Sequence, residues 1–378
     1  MMTFDTNMHQ AFSISSEECS YLYPSKISTL NESYKNPLRI MHLNVRSLKA
    51  NYDELVNLIA TYEECKKPLH VILLCETHLT DANATLYEIP GFNALFANRQ
   101  HLQKGGVAIF AREEFELSLR PDLCIFMEGR FESIFAEINL PHSKTPLIVG
   151  EVYRIPGLNV PSTLESFNEI SSRLSRNNAR VIFGIDQNLD LGKIDTDALT
   201  RTLYHNLESD GFLPAVNVPT RVDGNSKTII DNIYVRGPLP RSHSHVIKIG
   251  ISDHYPIIWT VNIGVQLKKK PQLMSHRPMN ETNVQRILAD LQLRNWQILD
   301  QLDIDQAYEH FFTELIATLD RHAPVRKINI PAKKVRREAW FTRGLQKSSK
   351  RLSQLYNKSL KHGRDSRQHA EYIRYRNA

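Results

Sequence analysis

The chain has 378 residues, 41% of them hydrophobic and 23% charged, enough apolar material for one large core plus an appendage and too ordinary in composition for a fibrous or disulfide-stapled protein. No stretch reaches the apolar length of a membrane span, and the N-terminal MMTFDTNMHQ lacks the basic-then-apolar order of a secretion signal. Cys19, Cys65, Cys75 and Cys124 are scattered without a close pair, so a reduced intracellular chain is expected, in nucleus or cytoplasm, with no membrane partner.

The formal net charge of +6 hides an asymmetry. From Arg321 onward stand 17 of the 47 Lys and Arg but only 3 of the 41 Asp and Glu, a tail near +14 behind a body near −8. Such a division suggests a polyanion partner for the tail and leaves the body's carboxylates free for other work.

In chain order, residues 1–36 are polar and aperiodic and read as a disordered lead-in. From Leu38, strand-length apolar runs recur: LRIMHLNV, HVILLCE, GGVAIFA, FESIFAEINL, PLIVGEVY, ARVIFGID, TIIDNIYV and YPIIWTV, each bounded by Gly, Pro, Asn or charge. Between them, Leu48, Tyr52, Leu55, Ile59 and Tyr62 recur at helical spacing, as do Leu164, Phe167, Ile170 and Leu174. Mixed hairpins and crossovers of this kind predict α/β layers. Past VQLKKKPQ at 265–272 only helical spacing continues, through Val284, Ile287 and Leu291 to Trp340, Leu345, Leu352 and Tyr356, which places a boundary near 264.

Polar residues gather where the strand runs stop: Asn44, Glu76, Tyr153, then Asp186 with Asn188 two residues on. Ends of buried strands are where α/β folds hold ligands. Each residue taken alone has another reading: a turn cap for Asn44, a solvated helix start for Glu76, an ordinary strand position for Tyr153, an Asx turn for Asp186 and Asn188. Together with Asp231 in TIIDNIYV and the Ser252-Asp253-His254 triplet between two apolar runs, they are hard to obtain from packing alone, because a buried carboxylate and imidazole lose hydration unless they have partners.

In order and approximate spacing, LNVRS, CETH, GGVAIF, VYR, DQN, PTR, IIDNIYV and SDH resemble the endonuclease/exonuclease/phosphatase superfamily, and within it the apurinic-like endonuclease domain of non-LTR retrotransposons. The resemblance covers residues 37–263. It implies a four-layered α/β sandwich, two packed mixed β-sheets flanked by helices, followed over 264–378 by a helical basic C-terminal extension like the linker that precedes a reverse transcriptase, itself absent from this chain. It also implies a monomeric Mg²⁺-dependent phosphodiester hydrolase, with Mn²⁺ able to substitute, that nicks duplex DNA for target-primed insertion; element RNA is a further partner for the basic tail. Two alternatives stay open, a nucleic-acid-binding remnant without catalysis and a superfamily phosphodiesterase acting on another phosphate ester.

Residue by residue, the resemblance implies Glu76 as the main metal ligand, with Asn44 beside it and Asp253 as a second. A hard divalent ion suits such oxygen donors better than a Cys or His cluster. It further implies that Asp186 orients or deprotonates the attacking water, that Asn188 donates to a phosphate oxygen, and that His254 donates to a non-bridging oxygen with Asp231 fixing its tautomer. Tyr153 would hydrogen-bond the phosphate or leaving group. Thr220, Arg154 and Ser252 complete the set at the substrate, with a β-turn after Pro219 as the other reading of Thr220 and a turn-shaping role as that of Ser252. The sequence departs from the family at GIDQN, where Gly-Asp-Phe-Asn is usual, so Ile185 precedes the aspartate and Gln187 replaces an aromatic. Adjacent strand residues point to opposite faces, so Gln187 bears on packing more than on chemistry.

Overall fold

The computed structural model describes residues 12–30, 34, 36–140, 146–157, 160–176, 179–223, 226–237, 241–265, 272–330, 343–362 and 366–376. Leu38–Asn44 and Val71–Cys75 are buried at every position, which is why VILLC reads as an unbroken apolar run and LRIMHLN as an apolar run interrupted by Arg39 and His42, neither strictly alternating. They pair in parallel at the centre of a seven-stranded sheet whose order is Glu18–Leu22, Ser242–Ile247, Ile257–Val261, Leu38–Asn44, Val71–Cys75, Val107–Arg112, Phe92–Ala97. A second seven-stranded sheet runs Leu213–Pro214, Asp231–Arg236, Arg180–Asp186, Leu147–Arg154, Phe131–Asn139, Glu116–Leu119, with Phe126–Met127 also paired to Phe131–Asn139. Its Leu147–Arg154 and Arg180–Asp186 strands are parallel and the rest of its pairs antiparallel, so both sheets are mixed.

Alternation along the strands separates three cores. Ile40, Leu73 and Ile109 of the first sheet meet Val149, Ile182 and Ile233 of the second between the sheets. The neighbouring residues Met41, Leu43, Ile72 and Phe110 face outward onto α1 (Leu48–Glu64), whose Leu55, Leu58, Ile59 and Tyr62 form its buried stripe. On the far side, Ile148, Phe183 and Ile185 meet Phe167, Ile170 and Leu174 of α2 (Val160–Ser175) and Leu203 and Leu207 of α3 (Ala198–Ser209). Helix, sheet, sheet, helix: these are the four layers expected.

The N-terminal stretch differs from expectation, because Glu18–Leu22 forms an edge strand parallel to Ser242–Ile247. Only Leu22 of its five residues is buried, so it carries no apolar pattern to read. The extension after 264 also divides. Lys268–Phe341 is a compact unit of its own, and Thr342–Ala378 belongs with the sandwich. The separate unit holds α4 (Glu281–Gln292) and α5 (Ile304–His322), and it is not purely helical: Gln272–His276 and Arg326–Ile330 pair antiparallel across some fifty intervening residues, a separation that conceals two short, polar strands. The last stretch forms α6 (Arg343–His362) and α7 (Arg367–Arg376), whose Tyr356 and Tyr372 rings lie 5.3 Å apart. Trp340, expected on the same stripe as Tyr356, lies outside the described residues. Among the described residues no helix is long and apolar enough to cross a membrane.

Candidate active site at the strand ends

Register brings the site together. In the second sheet Asp186 stands level with Tyr153 on the parallel neighbour and with Asp231 on the antiparallel one. In the first sheet Asn44 stands level with Cys75, so Glu76 begins the next turn beside it. Asn44 joins the two sheets, its Nδ2 donating to Glu76 Oε1 and to Asp186 Oδ2, both at 2.8 Å. Tyr153 donates its hydroxyl to the same Glu76 Oε1 at 3.0 Å.

A second cluster adjoins it. Both Asp231 oxygens lie 2.9 Å from His254 Nδ1, and Thr220 Oγ1 donates to Asp231 Oδ2 at 2.7 Å. With Nδ1 engaged by the carboxylate, Nε2 is the nitrogen left to act on a ligand. The Ser252 hydroxyl donates to the Asn44 carbonyl at 2.7 Å and accepts from the His254 backbone N–H at 3.1 Å, which fixes the triplet against the first sheet. Asn188 N–H donates to Asp186 Oδ1 at 3.0 Å, an Asx turn at the end of the strand, while its Nδ2 donates to the Arg154 carbonyl at 2.7 Å. The Asx-turn reading of this pair therefore holds, and the turn leaves both side chains at the strand end.

Electrostatics distinguishes the carboxylates. Burial, then the neighbouring Asp231 charge, pushes Asp186 up to about 7. Burial also opposes charge on Asp231, but His254 outweighs it and holds Asp231 well below the usual range. Burial would lower His254, yet the Asp231 carboxylate raises it to about 9. Glu76 is held at about 2 because hydrogen bonds from His78, Asn44 and Tyr153 together overcome its burial. One acid is thus poised near neutrality between a permanently ionised neighbour and a cationic imidazole, the spread that acid–base work requires.

Three residues expected at the substrate or the metal are otherwise engaged. Arg154 is buried, and its Nη1 donates to the carbonyls of Gln187 and Asn188 at 3.4 and 3.3 Å, so its charge secures the Asp186–Asn188 turn. Thr220 is buried and supports Asp231. Asp253 Oδ2 accepts from Arg46 Nη1 at 2.8 Å and Arg221 Nε at 2.9 Å, although its Oδ1 is buried without a partner. Among the described residues, the groups of three or more His, Cys, Asp or Glu with ligand atoms within 4.8 Å are Asp186–Asp231–His254 and His42–Cys75–Glu151, and neither contains Glu76 or Asp253. Glu76 and the amide oxygen of Asn44 are nevertheless hard donors in the small number that Mg²⁺ takes from protein, and the orphaned Asp253 oxygen is another.

Sequence reading missed three contributors. Arg46 and His78 stood inside the quoted LNVRS and CETH without a role; Arg46 pairs with Asp253, and His78 Nε2 lies 3.3 Å from Glu76 Oε2. Both, with Glu76 and Asn188, have positive φ, between 44° and 55°, a concentration of strained non-glycine backbone at one crevice. The third is the fully buried His42, which donates or accepts at 3.0 Å with Glu151 and lies 3.8 Å from Asp231, too far for a hydrogen bond. A Cβ at Gly184 would come within 2.4 Å of Glu151 and 2.6 Å of His42, so the glycine leaves room for this pair. No pattern announces the pair, since its residues sit in apolar strands 109 positions apart.

Gln187 is buried, with Nε2 on the Leu189 carbonyl and Oε1 accepting from Tyr234, away from Asp186 as alternation requires. The endonuclease/exonuclease/phosphatase family model matches residues 41–254, more than half of the chain and every residue of both clusters. The chain belongs to that family. Among solved structures, the endonuclease domain of TRAS1, a telomere-specific non-LTR retrotransposon, is 17% identical at TM-score 0.46, covering 60% of this chain and 99% of its own. D. rerio TDP2 complexed with single strand DNA product is 18% identical at TM-score 0.46, with 60% and 100% covered. An AP endonuclease from Archaeoglobus fulgidus is 17% identical at TM-score 0.45, with 60% and 100% covered. A search of curated proteins gives no match.

Proposed function

We propose that this member of the endonuclease/exonuclease/phosphatase family is a metal-dependent endonuclease that nicks duplex DNA, of the apurinic-like kind found in non-LTR retrotransposons. The observation that carries the reading is Asn44 bridging Glu76 to Asp186 beside the Asp231–His254 pair, which sets a hard-cation donor, a near-neutral base and an imidazolium within one hydrogen-bonded array. Asp186 takes a proton from the water that attacks phosphorus, for which a group near 7 is suited. His254 Nε2–H donates to a non-bridging oxygen as charge develops there, and Asp231 holds the ring and its charge. The second Nδ2–H of Asn188 and, on leaving Glu76 Oε1, the Tyr153 hydroxyl donate to the phosphate, and the phosphorus–oxygen bond to the leaving strand breaks as the new one forms. Glu76 and Asn44, with Asp253 as a further donor, would hold a Mg²⁺ ion, which supplies positive charge to the phosphate and leaving oxygens.

The basic hairpin fits a nucleic-acid partner: Lys347, Lys358, Arg367, Arg374 and Arg376 are exposed on α6 and α7. An end-labelled duplex incubated with the protein and Mg²⁺ tests the reading. Internal cleavage that chelator abolishes is expected; an intact duplex alongside hydrolysis of a small phosphate ester would move the activity to another substrate of the family.

A further inference from the structure

The C-terminal hairpin meets the sandwich at one place that matters to the site. The segment 248–255 carries Ser252, Asp253 and His254 between two anchors, the Lys248 N–H on the Leu22 carbonyl at 2.8 Å and the Tyr255 N–H on the Thr220 carbonyl at 2.7 Å. Tyr356 of α6 touches this segment. Its ring and the Tyr372 hydroxyl fill the space over Gly250, where an added Cβ would lie 2.8 Å from Tyr356 Cε2 and 3.0 Å from Tyr372 Oη. Its side chain also packs against the core cluster that contains the buried Tyr255, the residue after His254. Beside this contact lies a cavity of about 350 Å³ whose lining includes Gly250, Tyr356 and Tyr372 themselves, with Asn57 and Leu58 of α1 and Asn357 of α6.

From this we infer that Tyr356 is a positioning residue for His254: the basic hairpin, beyond contacting a polyanion, clamps Gly250 and Tyr255 and so holds the imidazole where it meets the phosphate. The rate consequence rests on the endonuclease reading above, whereas the clamp itself does not. Tyr356 and Tyr372 are accordingly spent on packing.

The test uses the full chain with Tyr356→Ala, Tyr356→Leu and His254→Ala, read by amide hydrogen exchange and by nicking kinetics. Tyr356→Ala should speed exchange across 249–255 several-fold and no more than slightly across the two sheets. It should lower kcat about tenfold with KM unchanged, because loosening the segment misplaces His254 without removing a substrate contact. In a His254→Ala background the same change should cost less than about twofold, because contacts that act through one residue are not additive. Unchanged exchange at 249–255, or an equal loss of rate with and without His254, would overturn the inference. If the alanine variant loosens the whole sandwich, Tyr356→Leu, which keeps apolar bulk at the contact but withdraws the ring from Gly250, decides on the same readouts. A wild type that nicks nothing would sink the endonuclease reading, while the exchange comparison would still decide the clamp.

Discussion

Replacing Asp231 by asparagine preserves shape and removes one charge from the centre of the site. The structure gives that charge two effects: it raises His254 to about 9, and it is the main neighbouring charge that raises Asp186 to about 7. Both protonation states required for nicking, an ionised Asp186 and a cationic His254, coexist between those values, so the wild-type rate should be bell-shaped, rising through about 7 and falling through about 9. In Asp231→Asn both limbs should move to lower pH. At about pH 7.5 a His254 near 9 is almost wholly protonated, whereas at the ordinary value of about 6.5 only about a tenth is, so loss of charge alone predicts roughly a tenfold slower reaction. Loss of the tautomer and orientation adds to this, toward the hundredfold or more typical of removing one preorganised donor. The assay is nicking rate against pH for both proteins, with the His254 ring titrated by NMR in the metal-free state and the fold checked by circular dichroism. An alkaline limb that stays at about 9 in a folded Asp231→Asn protein would refute the assignment of His254 and its partner.

Other expectations follow from the same contacts. Glu76→Ala should shift the Mg²⁺ titration to higher concentration and lower the saturated rate; a rate and titration equal to wild type would remove Glu76 from the metal site. Gly184→Ala should lower stability by about 1–3 kcal/mol, the usual range for overpacking, because the new Cβ meets Glu151 and His42, with thermal unfolding as the measure. Changing Lys347, Lys358, Arg367 and Arg374 together to glutamine should flatten the dependence of log affinity on log salt by about 0.9 for each lost phosphate contact on duplex DNA and weaken all sequences alike; an unchanged slope would free the hairpin of that role.

Much of the sandwich was legible because its central strands are buried on both faces, so LRIMHLNV and HVILLC stood out as largely apolar runs without strict alternation, and α1 showed its stripe at helical spacing. The polar residues at the strand ends were legible for the same reason, being the interruptions of those runs. What the sequence concealed depended on long-range register or on geometry without a pattern. Glu18–Leu22 is a half-exposed edge strand that finds its partner more than 200 residues away. The His42–Glu151 pair needs a missing Cβ at Gly184 on a third strand. The family resemblance implied Arg154 at the substrate, but alternation along the strand turns it away, toward the carbonyls of the Asp186–Asn188 turn. Tyr356 showed a helical stripe, and nothing in its spacing told that the surface it covers is the segment bearing His254.

The most direct measurement is conversion of supercoiled plasmid to nicked circles in Mg²⁺ by wild-type protein and by Asp186→Asn protein prepared identically. The account predicts nicked circles from the wild type, none in chelator, and a loss of at least about a hundredfold in the variant, as for removal of a positioned base. Equal nicking by both proteins, or intact plasmid with wild type across the Mg²⁺ and Mn²⁺ ranges, would contradict it.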